Sequence, residues 1–302
     1  MGESYFYKTY ALNLQSDIRL TEIPELVSTP KEVEVQIKRG AVNPKGLAQG
    51  EQVGPFLWTT STQLQLHIPG VSRFLIENGE SIIYDPEPGI DEDSIRVFML
   101  GSCLGALLFQ RGFFVLHGNA IQIGNECIIC VGHSGAGKST LAAAFMKRGY
   151  NLLADDVVPI GDDCKAIAGF PRIKLWKDAA NKLGIETDGL TRIRPDIEKF
   201  NVPISDNFVT TPLPVKHIFV LRSDHEMGFS SEEIEGLNKF RVLSINTYRK
   251  KYLDSMALKS THLKLCGKVA AKAALTMVMR PKTGFAIDQL VDHILAECGQ
   301  ND

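Results

Sequence analysis

The run Gly132-His133-Ser134-Gly135-Ala136-Gly137-Lys138-Ser139-Thr140 fits G-x-x-x-x-G-K-[ST], and each fixed residue type answers a need of phosphate chemistry. Glycines let backbone amides turn inward around phosphate oxygens. Lys138 would bring a positive charge to the β- and γ-phosphates, and the Ser139 hydroxyl can ligate Mg²⁺. An apolar segment, ECIICVG, precedes the loop and reads as a strand. KSTLAAAFMKRG follows it and reads as a helix closed by Lys147, Arg148 and Gly149, its N-terminus directed at the same anion.

Asp155 and Asp156 come soon after, in NLLADDVVPI. A helix from Lys138 to Arg148 carries the chain about 16 Å from the phosphates. Gly149 and Tyr150 turn it, and a strand from Asn151 to Asp155 recovers about the same distance. The acids are therefore expected back at the level of the loop, at the carboxyl end of an adjacent parallel strand, where α/β sheets carry ligands. One acid can hold Mg²⁺, directly or through water, and leave the other to accept a proton from an attacking hydroxyl. The bland reading is a solvated strand end with two acids capping a turn; the crossover of matching length favours chemistry. His117, closing the apolar VLHGNA stretch, is a candidate contact to the γ-phosphate or to one of the acids.

The elements that must position these residues change style along the 302-residue chain. YFYKTYALNL, EVEVQIKR, TQLQLHI, RFLIENG and SIIYDP are short β segments punctuated by Gly and Pro. They predict a small, mainly antiparallel β region over residues 1–89, with a substrate-binding or regulatory role. DEDSIRVFMLGSCLGALLFQRG predicts a helix with acids in its first turn. Residues 90–302 then form the catalytic domain, with further strands in AIAGFPRIKLW and VKHIFVLR. Two more helices are expected, from Gly267 to Met279 and from Ile287 to Cys298.

Bulk charge narrows the partners. With 33 Lys and Arg against 35 Asp and Glu, the net charge of -2 argues against nucleic acid and against an anionic membrane. The most apolar run, Val97 to Gln110, is shorter than the roughly 20 residues of a membrane-spanning helix. The first residues show no secretory pattern, and Gly2 does not satisfy the myristoylation pattern, so a cytoplasmic protein is expected. The six cysteines lack the density of a disulfide framework. Cys127 and Cys130 form C-x-x-C, but three apart on a strand their sulfurs diverge.

Taken together, LHGNAIQIG, GHSGAGKST and LLADDVVPI resemble the catalytic domain of the HPr kinase/phosphorylase family, serine kinases built on a phosphate loop. The three signals match in order over Leu116 to Ile160, with weaker similarity through GFPRIKLW and VKHIFVLR. The resemblance implies an α/β P-loop kinase domain of the HPr kinase type, here preceded by the small β region, with ATP and Mg²⁺ as cofactors. It implies an active site of His117, Lys138, Ser139, Asp155 and Asp156, with Asp155 as base and Asp156 on the metal side beside Ser139. The chain departs from the family at His133, where Asp is usual, and at Thr140, where Glu is usual, so phosphorylase activity is not expected to follow. YKTYALNLQSDIRLTEIPEL is similar to the opening of HPr-kinase-like proteins of lasso-peptide biosynthesis, which phosphorylate a C-terminal Ser of a precursor peptide. A peptide or small protein bearing an acceptor Ser is the implied partner, and a homo-oligomer is compatible with the sequence.

Arg172 and Lys174, in GFPRIKLW, could meet a substrate phosphate or form a solvated basic strand end. YRKKY, Tyr248 to Tyr252, reads as a solvated face. Two other classes compete with a kinase. A switch or motor lacks support, because Asn181-Lys182 continues as Leu183-Gly184 rather than N-K-x-D and no L-S-G-G-Q run is present. A nucleotide-binding regulatory module without transfer has little use for both acids and His117.

Overall fold

Eight short strands precede the first helix: β1 (Tyr5–Thr9), β2 (Leu12–Ser16), β3 (Val35–Arg39), β4 (Glu51–Gly54), β5 (Leu57–Thr59), β6 (Gln63–Ile68), β7 (Ser72–Glu77) and β8 (Ser81–Pro86). The computed structural model describes residues 3–299, apart from 195, 196, 225–227, 283 and 285. LNLQS and SRFLIE bury alternate side chains, as a sheet with one covered face requires. The eight strands form one sheet, in the order β1-β2-β3-β8-β7-β6-β5-β4. Pairings β2–β3 and β3–β8 are parallel, because the long connection from Asp17 to Glu34 returns the chain before β3 starts; the other five are antiparallel.

The next helix is not uniform. Its first part, α1 (Glu92–Phe98), starts at Asp91, whose carboxylate accepts from the Ser94 amide at 2.7 Å. Met99–Cys103 widens into a π turn before α2 (Leu104–Gln110). Gly105 lets Tyr248 lie against this helix; a Cβ there would stand 2.5 Å from the ring. Met99, Leu104 and Phe109 share a core with Phe74, Ile76 and Ile82 of the sheet, and that core continues into Val115, Val157, Phe170 and Tyr248.

The second sheet begins with β9 (Phe114–Ile123) and β10 (Glu126–Val131), continues after α3 (Lys138–Lys147) with β11 (Leu152–Ile160) and β12 (Lys165–Ala166), and then breaks off. A two-stranded ribbon follows, β13 (Arg172–Trp176) and β14 (Lys199–Pro203), with the short α4 (Lys177–Lys182) between them. The sheet resumes with β15 (Leu213–Asp224) and β16 (Ser230–Glu233). After α5 (Leu237–Ile245), α6 (Lys251–Ser255) and α7 (Lys259–Lys272) come β17 (Ala274–Pro281) and α8 (Ile287–Glu297). The order is β10-β9-β11-β12-β15-β17-β16, with β10 also paired to β15.

Three local expectations are corrected here. The strand carrying the acids is not adjacent to β10, because β9 lies between them and is antiparallel to both. The β9–β10 hairpin closes over Gly124 and Asn125, so it takes that edge locally; the parallel neighbour of β10 is β15. His117 and the acids also sit inside long strands rather than at their ends. The helix expected over Gly267–Met279 ends at Lys272, and ALTMVM joins the sheet beside β15.

ECIICV reads as an unbroken apolar run because β10 is covered on both faces. Cys127 and Ile129 belong to the core under α7, Ile128 and Cys130 to the one under α3 and α8. The two cysteines therefore diverge, as the strand reading requires. No described helix is long and apolar enough to cross a membrane.

Candidate active site

The phosphate loop leaves β10 and folds back over the sheet. Gly132, Gly135 and Gly137 have φ of 148°, 83° and 93°, a region that favours residues without a Cβ. At Gly132 a Cβ would also meet the Leu221 carbonyl oxygen at 2.7 Å. No side chain caps the start of α3, so its first amides remain available to an anion. Lys138 is buried, and its Nζ donates to the Gly132 carbonyl at 2.8 Å and to that of His133 at 3.2 Å. Ser134, Gly135, Gly137, Lys138, Ser139 and Thr140 line a cleft of about 530 Å³ together with His117, Asp155, Asp156 and Lys174. Gly132, His133 and Ala136 do not line it, and the His133 side chain faces solvent.

Successive residues on a strand point to opposite faces, which would separate two neighbouring acids. Asp156 departs from that rule with a φ of 74°, a left-handed conformation uncommon outside Gly, Asn and Asp. Both carboxylates consequently reach one cleft, against different partners. Ser139 donates its hydroxyl to Asp155 Oδ1 at 3.1 Å, and the Lys174 amide donates to Asp155 Oδ2 at 3.0 Å. Lys174 Nζ donates to Asp156 Oδ2 at 2.8 Å. His117 Nδ1 lies 3.0 Å from the Asp156 carbonyl oxygen and 3.3 Å from its Oδ1. The sequence had the metal-side acid as Asp156; it is Asp155 that shares the Ser139 hydroxyl.

Environment pushes the two acids apart. Loss of water around Asp155, reinforced by the charge of Asp156, raises its pKa. Burial would raise Asp156 as well, but the Lys174 ammonium and His117 outweigh it and hold that carboxyl well below the usual carboxylate range. Burial lowers His117, so the imidazole is neutral at pH 7 and can donate Nδ1–H to the Asp156 carbonyl. Burial also lowers Lys138.

These shifts give a pH prediction with opposite signs. A metal ion held at Ser139 and Asp155 would need the ionised carboxylate, so on that assignment Mg²⁺-nucleotide affinity would fall as pH drops through the raised Asp155 pKa, above the ordinary 3.8. Over the same window the metal-free protein should gain stability, because protonation relieves an enclosed charge that the unfolded chain would carry in water. Calorimetric titration and thermal melts of wild type and Asp155→Asn between neutral pH and pH 4 check both signs; both trends should be absent from the variant.

Arg172 and Lys174 are both buried, so neither forms a solvated strand end. Lys174 enters the cleft, whereas Arg172 lines a separate cavity. In YRKKY, Tyr248 and Tyr252 are core residues, and Arg249, Lys250 and Lys251 between them are exposed. Tyr248 backs the site, its ring centroid 5.9 Å from that of His117.

Several residues carry no signal in the sequence. Arg280, at the end of β17, donates Nε to the Ala136 carbonyl at 3.2 Å and lines the cleft; only the β15–β17 pairing brings VMRP to the loop. Gly118 lets β9 and β10 approach, since a Cβ would stand 2.5 Å from the Cys130 carbonyl oxygen. Asn119, beside Asp155 in register, is fully buried with both side-chain polar atoms unpartnered.

No protein-family model and no curated protein matches the chain. Among solved structures, the chain is similar to the Hpr(Ser) kinase/phosphatase from Coxiella burnetii, at 14% identity and a TM-score of 0.32. The match covers 61% of this chain and 93% of that one.

Proposed function

We propose that the protein is an ATP- and Mg²⁺-dependent kinase that phosphorylates a serine hydroxyl on a peptide or small protein. The observation that carries this reading is the division of labour between consecutive acids, Asp155 against Ser139 and Asp156 against Lys174 and His117. A nucleotide switch or hydrolase needs a metal-side acid, but a second carboxylate held ionised away from the phosphate loop suits an incoming hydroxyl.

The donor set fits Mg²⁺. A cation held by one or two protein oxygens plus phosphate oxygens and water suits Ser139 and Asp155, whose side chains already meet at 3.1 Å. Ser139 Oγ and Asp155 would hold the ion, which when bound neutralises charge on the phosphates. Loop amides and Lys138 would bind the β- and γ-phosphates, with Arg280 fixing the loop at Ala136. Asp156 would accept the serine proton as the acceptor oxygen bonds to the γ-phosphorus and the bond to the ADP leaving oxygen breaks. The Lys174 ammonium would keep that carboxylate ionised, and Lys174 and His117 together would keep it aimed. The rate would come mainly from positioning and charge neutralisation.

The narrower form of the proposal is a precursor peptide phosphorylated on a C-terminal Ser, motivated by the similarity over Tyr7 to Leu26. Incubation with γ-labelled ATP, Mg²⁺ and serine-containing peptides tests the class. Label should appear on peptide; free phosphate alone would make the protein a hydrolase, and bound, unreacted nucleotide a regulator.

A further inference from the structure

The ribbon β13–β14 borders a second cavity of about 380 Å³, lined on one side by Thr21 to Pro24 of the N-terminal region and on the other by Leu190, Thr191 and Ile204. Arg172 lies in its wall and is only 6% exposed. Nη1 donates to Asn201 Oδ1, and the guanidinium carbon stands 4.7 Å from the Phe170 ring centroid. Nε is buried without a hydrogen-bond partner. Among the described residues Glu22 is the one carboxylate lining the cavity, and it is taken by Arg96, Nε to Oε2 at 3.1 Å. Among the described residues no carboxylate forms an ion pair with Arg172, a costly arrangement for a buried cation unless a ligand completes it.

We infer that this cavity binds a carboxylate of the acceptor chain. A guanidinium presents a planar fork that matches a carboxylate with two parallel hydrogen bonds. One uncompensated positive charge balances one monoanion, whereas a phosphate dianion would leave excess charge close to Glu22. Ile23, Pro24, Pro171 and Leu190 supply apolar walls for the stem that carries the carboxylate. Arg172 and Lys174 lie two residues apart on β13, roughly 7 Å between Cα atoms. Lys174 holds Asp156, and alternate residues of a strand share a face, so an acceptor whose hydroxyl met Asp156 would run along the same ribbon toward Arg172. The carboxylate comes either from an Asp or Glu side chain next to the acceptor serine or from the chain's own terminus. That the partner is an acceptor with its serine at Asp156 rests on the kinase reading, whereas the carboxylate site rests on Arg172 and its cavity.

The test uses binding, so that it stands apart from transfer. The full-length protein is immobilised and panned with synthetic random peptides around a fixed Ser, in free-acid and amidated forms. Wild type should enrich Asp or Glu beside the serine if the side chain is the source, or the free acid over the amide if the terminus is. Arg172→Gln should erase that enrichment and weaken an enriched peptide roughly 30-fold or more. Because Arg172 packs on Phe170, Thr191→Trp provides a second variant, obstructing the cavity from an exposed rim, and should give the same loss. Absence of any carboxylate preference in wild type, or its survival in both variants, overturns the inference. Arginine-dependent enrichment without transfer of label would instead sink the kinase reading and leave the cavity's role standing.

Discussion

Replacing Lys138 by Met should lower phosphoryl transfer by about 10³-fold or more without unfolding the protein. The ammonium is held inside the loop by two carbonyls, at the position from which it can meet β- and γ-phosphate oxygens. Methionine keeps much of the length and volume and removes the charge. Burial already disfavours that charge, as its lowered pKa shows, so the melting temperature should hold or rise while nucleotide affinity falls. Single-turnover rates, nucleotide titrations and thermal melts on one preparation check all three; a rate within tenfold of wild type would refute the role of Lys138.

The second large effect separates the acids. Asp156→Asn should lose transfer by about 10² to 10⁴-fold and keep Mg²⁺-nucleotide binding. Asn is the appropriate substitution because it tolerates the left-handed backbone that Asp156 adopts, so the charge alone changes. Asp155→Asn should instead weaken Mg²⁺-dependent nucleotide binding, since the amide can still accept from Ser139 but lacks the charge that would hold the ion there. A reversed pattern would restore Asp155 as base. Removing the Asp156 charge strands a buried Lys174 and should cost about 3 kcal/mol of stability. Asp156→Asn with Lys174→Met should recover the melting temperature without recovering transfer, which distinguishes a chemical defect from a folding one.

The loop, the early acids and His117 were legible because each depends on local sequence: glycines at set positions, and one helix and one strand of matching rise. What escaped depends on pairing between distant segments. NLLADDVVPI does not reveal that β9 will separate it from β10, since that outcome is decided by a hairpin formed earlier in the chain. Arg280 reaches the loop only because β17 lines up with β15. Basic residues at alternate positions, as in RIKLW, look alike in sequence, yet the folds around β13 send Lys174 to one cavity and Arg172 to another. That Asp155 and Asp156 face one cleft with different partners turns on a single positive φ, for which neighbouring residues give no cue.

One junction bears on how such a chain can change over time. Thr9 donates its hydroxyl to the Gly169 carbonyl at 2.9 Å, and the Tyr10 amide donates to that of Ala168, also at 2.9 Å, just before the strand whose Lys174 grips both acids. Val157, Phe170 and Tyr248 complete a core begun by the first sheet. A gene fusion or split that exchanged the first hundred residues for an unrelated module would strip the backing from the acids as well as the apolar cover from these side chains. The two halves are therefore expected to be inherited together, with new acceptor preferences arising by drift at the rim of the Arg172 cavity rather than by shuffling of modules.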